Sequence, residues 1–232
     1  MLRPGQRAYL YSVLKRNFIG LSLISWLSSA AQVPVREEPR HHNVFENNYV
    51  RVLDVFLGPH DTTWFHLHST PSVFTTFTKT ATGSQLVSGQ PSGDLSVAGK
   101  SWYDSLSTPR IHRVWNEDTL WFHVMDIELV AGKPHADQPV LQDTLLKLYF
   151  KEPLANGYRL ELQPGNNVNL PASSIGYLLL SIGDATVAYQ TNDHVGHRIM
   201  KSGHYIWIEP GKPFSFASQA NNPSSFVLLQ LK

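Results

Sequence analysis

The chain has 232 residues, 42% hydrophobic and 16% charged, which is enough apolar side chain for a core and excludes a disordered chain. Net charge is +1, but four of the 19 basic groups (Arg3, Arg7, Lys15 and Arg16) stand in the first 31 residues, which hold no acid. The remainder is slightly acidic, so nucleic acid is not an expected partner, and the absence of cysteine excludes disulfides, thiolate metal sites and Cys nucleophiles.

Residues 1–31 read as a secretory signal peptide. The basic start is followed by the apolar run FIGLSLISWLSSA, and Ser29 and Ala31 fit a small-x-small cleavage site before Gln32. The run is too short for an ordinary transmembrane helix, so no membrane anchor is expected after cleavage. The signal places the protein in the periplasm or outside the cell; an amphipathic N-terminal helix of a cytoplasmic protein is the alternative. Residues 32–42 then read as a polar linker. Strands are predicted at Val50–Leu57, Thr63–His68, Val73–Thr78, Ser84–Ser88, Leu95–Ala98, Ile111–Asn116 and Thr119–Leu129. Residues 131–146 read as a second linker. Strands resume at Leu145–Phe150, Tyr158–Gln163, Gly176–Ile182, Thr186–Gln190, Tyr205–Ile208, Phe214–Ala217 and Phe226–Leu231. Short strands at near-regular spacing predict an all-β fold of two domains, 43–130 and 147–232.

The two halves read as an internal duplication. Gly99 and Gly203 each precede an aromatic strand, 104 residues apart. At that offset Pro109 meets Pro213, His112 meets Phe216 and Phe122 meets Phe226, while SVFTTFT meets IGYLLLS at 103.

Of the eleven histidines, His66 and His68 stand two apart on one predicted strand and so share a face. His112 lies on a later strand. If both strands line one cavity, the three imidazoles converge as a metal site with open positions. His41 and His42 read as a linker pair, His60 as a turn residue and His123 as solvent-facing. His194, His197 and His204 read as a solvated loop.

The sequence from Gly58 to His66-Leu67-His68, followed by His112-Arg-Val-Trp-Asn116, resembles the two motifs of the cupin superfamily. The resemblance implies two tandem jelly-roll barrels, a bicupin, with a metal inside the first. It also implies a ligand set of His66, His68 and His112, without the acidic ligand of the usual pattern: positions 72 and 73 hold Ser72 and Val73. Pro109 stands where the second motif begins with Gly. The implied cofactor is a divalent metal, Fe(II) foremost, with Mn, Ni and Zn as alternatives. The implied activity is a metal-dependent dioxygenase acting on a small organic molecule. A metal-dependent isomerase or hydrolase, and a non-catalytic ligand-binding module, are the other readings. A homodimer is a class expectation.

Alternation places Trp64 on the face of His66 and Arg110 on the face of His112, as candidate contacts for an aromatic or carboxylate-bearing substrate. Asn116 is expected to make a structural hydrogen bond. At the repeat offsets His66 and His68 map to Asn169 and Pro171, and His112 to Phe216, so the second half is expected to be a metal-free scaffold.

Overall fold

The computed structural model describes residues 32–134, 138–192 and 194–232, and the signal-peptide reading of residues 1–31 lies outside them. The first half contains β1 (Val33–Pro34), β2 (His41–Glu46), β3 (Arg51–Leu57), β4 (His66–His68), β5 (Ser72–Thr76), β6 (Ala81–Leu86), β7 (Ser92–Leu95), β8 (Ser101–Asp104), β9 (Arg110–Asn116) and β10 (Phe122–Glu128). The second contains β11 (Leu146–Lys151), β12 (Ala155–Leu162), β13 (Asn167–Leu170), β14 (Tyr177–Ser181), β15 (Ala185–Gln190), β16 (Val195–Met200), β17 (Tyr205–Ile208), β18 (Phe214–Ser218) and β19 (Ser224–Leu231). The only helical element among the described residues is a 3-10 turn at Val35–Glu37, and no helix there is long and apolar enough to cross a membrane.

Each half is a two-sheet jelly roll. The first stacks β1-β4-β9-β6-β7 on β2-β3-β10-β5-β8. The second stacks β13-β18-β15-β16 on β11-β12-β19-β14-β17, the same order strand for strand apart from β1.

Residues 32–42 are not a linker. β1 pairs in parallel with β4 (Val33 opposite His66), and His41 and His42 begin β2 in the opposite sheet. The segment is therefore a strap that pairs with both sheets of the first jelly roll.

The halves meet through an apolar interface. Val52, Val73, Met125 and Ile127 of the first pack against Leu178, Leu180, Val227 and Leu229 of the second. The opposite faces of these same strands line each interior, so β5, β10 and β14 are buried at every position. Both faces being covered explains why these strands do not alternate apolar with polar residues: β14 is almost wholly apolar, and β5 and β10 bury their Ser, Thr, His, Asp and Glu as well. It also corrects the solvent-facing expectation for His123. That ring is buried between Phe56 and Phe77, with centroid distances of 4.0 and 4.6 Å, and its Nε2 donates to Asp54 at 2.6 Å. Gly203, at φ 83°, closes over it: an added Cβ would lie 2.2 Å from the imidazole Cε1.

Candidate metal centre

The first jelly roll encloses a cavity of about 240 Å³ between its two sheets. One sheet contributes His66 and His68 from β4, and Arg110 and His112 from β9. The antiparallel register sets His66 directly opposite His112 and His68 opposite Arg110. Side chains alternate along each strand, so all four point to one side. The facing sheet contributes the apolar wall of Val55, Leu57, Phe74, Phe122 and Val124.

The three predicted histidines come together. Ring centroids are 4.9 Å apart for His66 and His68, 4.7 Å for His66 and His112, and 4.8 Å for His68 and His112. Nε2 of each is buried without a hydrogen-bond partner. Orphaned buried nitrogens carry a desolvation cost of about 1–3 kcal/mol apiece unless something binds them. Their rings are oriented from behind. His66 Nδ1 donates to the Trp64 carbonyl at 2.8 Å, which leaves Nε2 as the free lone pair. His68 Nδ1 lies 3.3 Å from Asp126 Oδ2. An imidazole fixed through Nδ1 to a carbonyl or carboxylate, with Nε2 free, is the arrangement that metal-ligating histidines adopt.

Burial, reinforced by the charges that His41 and His68 would carry, pushes the His66 imidazole down to about 3. Burial, with His68 and His66 next, drives His112 lower still. Both rings are therefore neutral at ordinary pH, the form that binds a metal.

Two groups at this site were not expected from the sequence. Asp126, on β10, is fully enclosed beside His68. Burial pushes its carboxyl up, but His68, aided by His41 and Ser72, outweighs this and holds it below the usual carboxylate range. Asp126 thus sets a carboxylate on the Nδ1 side of His68, behind the ring rather than at the ligand position of Ser72. The second is His41, 8% exposed, whose ring lies 4.7 Å from that of His66 and 6.3 Å from that of His68. Its Nδ1 donates to Glu38 Oε2 at 2.8 Å. Burial raises the Glu38 carboxyl, but His41 and the Arg40 and Trp64 amides outweigh this and keep it ionised. Ligand nitrogens of His41, His66 and His68 all lie within 4.8 Å of one another.

Arg110 lines the cavity as expected. It is paired with Asp104, and its buried Nε has no hydrogen-bond partner. Trp64 does not line the cavity; the residue is 52% exposed. Thr63–Phe65 is irregular rather than strand, so alternation counted back from His66 fails there. Trp64 serves the site through its backbone instead, its carbonyl holding His66 and its N–H donating to Glu38 at 3.2 Å. The aromatic ring at the cavity is Trp102, stacked on Phe74 at 5.2 Å. Asn116 does the structural job expected of it, its amide donating to the carbonyls of Leu57, Gly58 and Leu120.

The second half has a packed interior where the first has a site. Its register pairs Val168 with Phe216 and Leu170 with Phe214, as His66 pairs with His112 and His68 with Arg110. The counterparts of His66 and His68 are therefore Val168 and Leu170, not Asn169 and Pro171, because the offset between the halves is 102 residues at β4, one less than the 103 that aligns SVFTTFT with IGYLLLS. All four counterparts are buried and apolar. His197 lies on the exposed edge strand β16 rather than in a loop.

No protein-family model and no curated protein matches the sequence. Solved structures do match the fold. A Cupin 2 conserved barrel domain protein from Leptotrichia buccalis superposes with a TM-score of 0.53 at 10% identity, covering 81% of this chain and 86% of that one. A salicylate 1,2-dioxygenase variant from Pseudoaminobacter salicylatoxidans gives 0.54 at 11%, over 80% and 72%. Bacillus subtilis oxalate decarboxylase, described with Mn(II) centres, gives 0.53 at 9%, over 78% and 68%. The chain has the cupin fold in its two-domain, bicupin form.

Proposed function

We propose that the first jelly roll binds one divalent metal through His66, His68 and His112 and acts on a small organic molecule held in the adjoining cavity. The observation that carries this reading is the clustering of three imidazoles, with ring centroids 4.7–4.9 Å apart, whose buried Nε2 atoms have no hydrogen-bond partner among the described residues. The bicupin enzymes to which the fold is similar, one of them with Mn(II) centres, support it as analogy of fold.

The metal would supply redox or Lewis-acid chemistry when bound. Imidazole donors without a carboxylate suit Fe, Ni, Cu or Zn better than Mn; we propose Fe(II) and a dioxygenase-type oxidation. The chain's own contribution is positional. Asp126 and the Trp64 carbonyl hold the rings of His68 and His66. The apolar wall of Leu57, Phe74 and Phe122 keeps bulk water from the reacting centre. Arg110 Nε is placed to meet a polar or carboxylate end of the substrate. The cavity of about 240 Å³ limits that substrate to a compact molecule. Oxygen uptake by Fe(II)-loaded protein, screened over small aromatic and aliphatic carboxylates, tests the oxidative reading. Metal-dependent turnover of one of them without oxygen consumption refutes it in favour of an isomerase or hydrolase.

We also propose that residues 1–31 direct export. N-terminal sequencing of protein from the native cell should begin at Gln32, and an intact Met1 start would contradict this.

A further inference from the structure

The three-histidine reading leaves one buried imidazole at the cavity without a task. His41 comes from the strap, not from the strands that carry the other histidines. Its ring sits 4.7 Å from that of His66, reaching it from the facing sheet, where His41 pairs with Val55 of the apolar wall, and it lines the same cavity. His66 and His68 are thus common to two groups: their rings lie beside that of His112, and their ligand nitrogens lie within 4.8 Å of that of His41.

The surroundings of His41 are those of a ligand rather than of a core histidine. Its Nδ1 is bound to a carboxylate that is itself 1% exposed. Glu38 receives the Arg40 N–H at 2.7 Å and the Trp64 N–H at 3.2 Å, so its position is fixed by backbone on both sides. Arg40 in turn grips Asp61 through Nε and Nη2 at 3.1 and 2.8 Å, tying the strap to the turn that precedes β4. A buried carboxylate so firmly placed, with one oxygen on the imidazole Nδ1 and the other on the Trp64 amide and the Arg40 guanidinium, orients that imidazole's Nε2 into the cavity.

We propose that His41 is a fourth protein ligand of the metal and that Glu38 is the residue that positions it. The inference rests on the metal reading above. It means that the acidic ligand missing at position 72 is replaced by a neutral donor, with the negative charge moved one layer back onto Glu38 and Asp126. The strap then completes the site: a chain lacking residues 32–42 would keep the second jelly roll and lose a ligand.

The test uses full-length protein from Gln32 onward, stripped with chelator and titrated with Cu(II) as a spectroscopic probe. Nitrogen superhyperfine structure in the EPR spectrum counts the bound imidazoles. The expected result is four nitrogens in the wild type and three in both His41→Ala and His112→Ala. Glu38→Gln, which retains His41, should keep four nitrogens while weakening Cu(II) binding about 10–100-fold, the usual effect of removing a partner behind a ligand. Because His41→Ala could loosen the strap, Glu38→Gln carries the test independently. Three nitrogens in both the wild type and His41→Ala, with two in His112→Ala, would overturn the role of His41 and leave the three-histidine centre standing. No change in any variant, His66→Ala included, would overturn both.

Discussion

The low proton affinity of His66 makes metal-free protein sensitive to mild acid. The imidazole titrates at 6.5 in an unfolded chain and at about 3 in the fold, mainly because burial removes water from the charged form. Between those values the unfolded chain binds a proton that the native state does not, so stability falls as pH falls through this window and is constant above it. Each pH unit inside the window is worth about 1.4 kcal/mol. Going from pH 8 to pH 4.5 therefore removes about 3 kcal/mol through His66 alone. Asp126 and Glu38 have depressed values, so their contributions are lost mainly below this interval, and what is lost within it is common to wild type and variant. The assay is urea unfolding of chelator-treated protein at pH 8 and pH 4.5, followed by tryptophan fluorescence. His66→Asn is neutral throughout and should lose about 3 kcal/mol less than wild type over that interval. Equal losses would show that the His66 ring is solvated in the native protein and that the histidine cluster is not packed as described.

Three further outcomes follow from the packing. Phe216 is 1% exposed among Phe214 and Phe226, so Phe216→Ala should destabilise by about 3–5 kcal/mol while metal content per folded chain is unchanged; loss of metal would break the assigned division between the halves. Asn116→Ala strands the three carbonyls that its amide serves and should cost about 2–3 kcal/mol in a denaturant melt, again with metal retained. Gly203→Ala should loosen the contact between the halves, since its φ is 83° and its Cβ would strike His123; an unchanged melting temperature would contradict the closeness of that interface.

The jelly-roll architecture and the His66, His68 and His112 cluster were legible in the sequence because both depend on local regularities. Two-residue spacing puts His66 and His68 on one face, and a later strand with His112 needs only to be their neighbour. His41 was not legible. It belongs to the opposite sheet, and nothing in the doublet His41-His42 says which ring turns inward; only the pairing of β2 with β3 decides it. Asp126 left a fainter mark, as one of two acids, with Glu128, in the otherwise apolar run VMDIEL, a strand buried on both faces where a carboxylate must have a partner. Trp64 and the counterparts of His66 in the second half were misplaced for one reason. Counting by twos, or by a fixed offset, holds only within an unbroken strand, and an irregular residue or a one-residue change in loop length reverses every side chain beyond it.

The central claim is that three imidazoles from β4 and β9 hold a metal. The most direct measurement is elemental analysis of chelator-stripped protein reloaded with Fe(II) under anaerobic conditions and freed of excess metal, comparing wild type with folded His66→Ala and His112→Ala. The account predicts about one equivalent in wild type and loss of most of it in both variants. A full complement in either variant would contradict it.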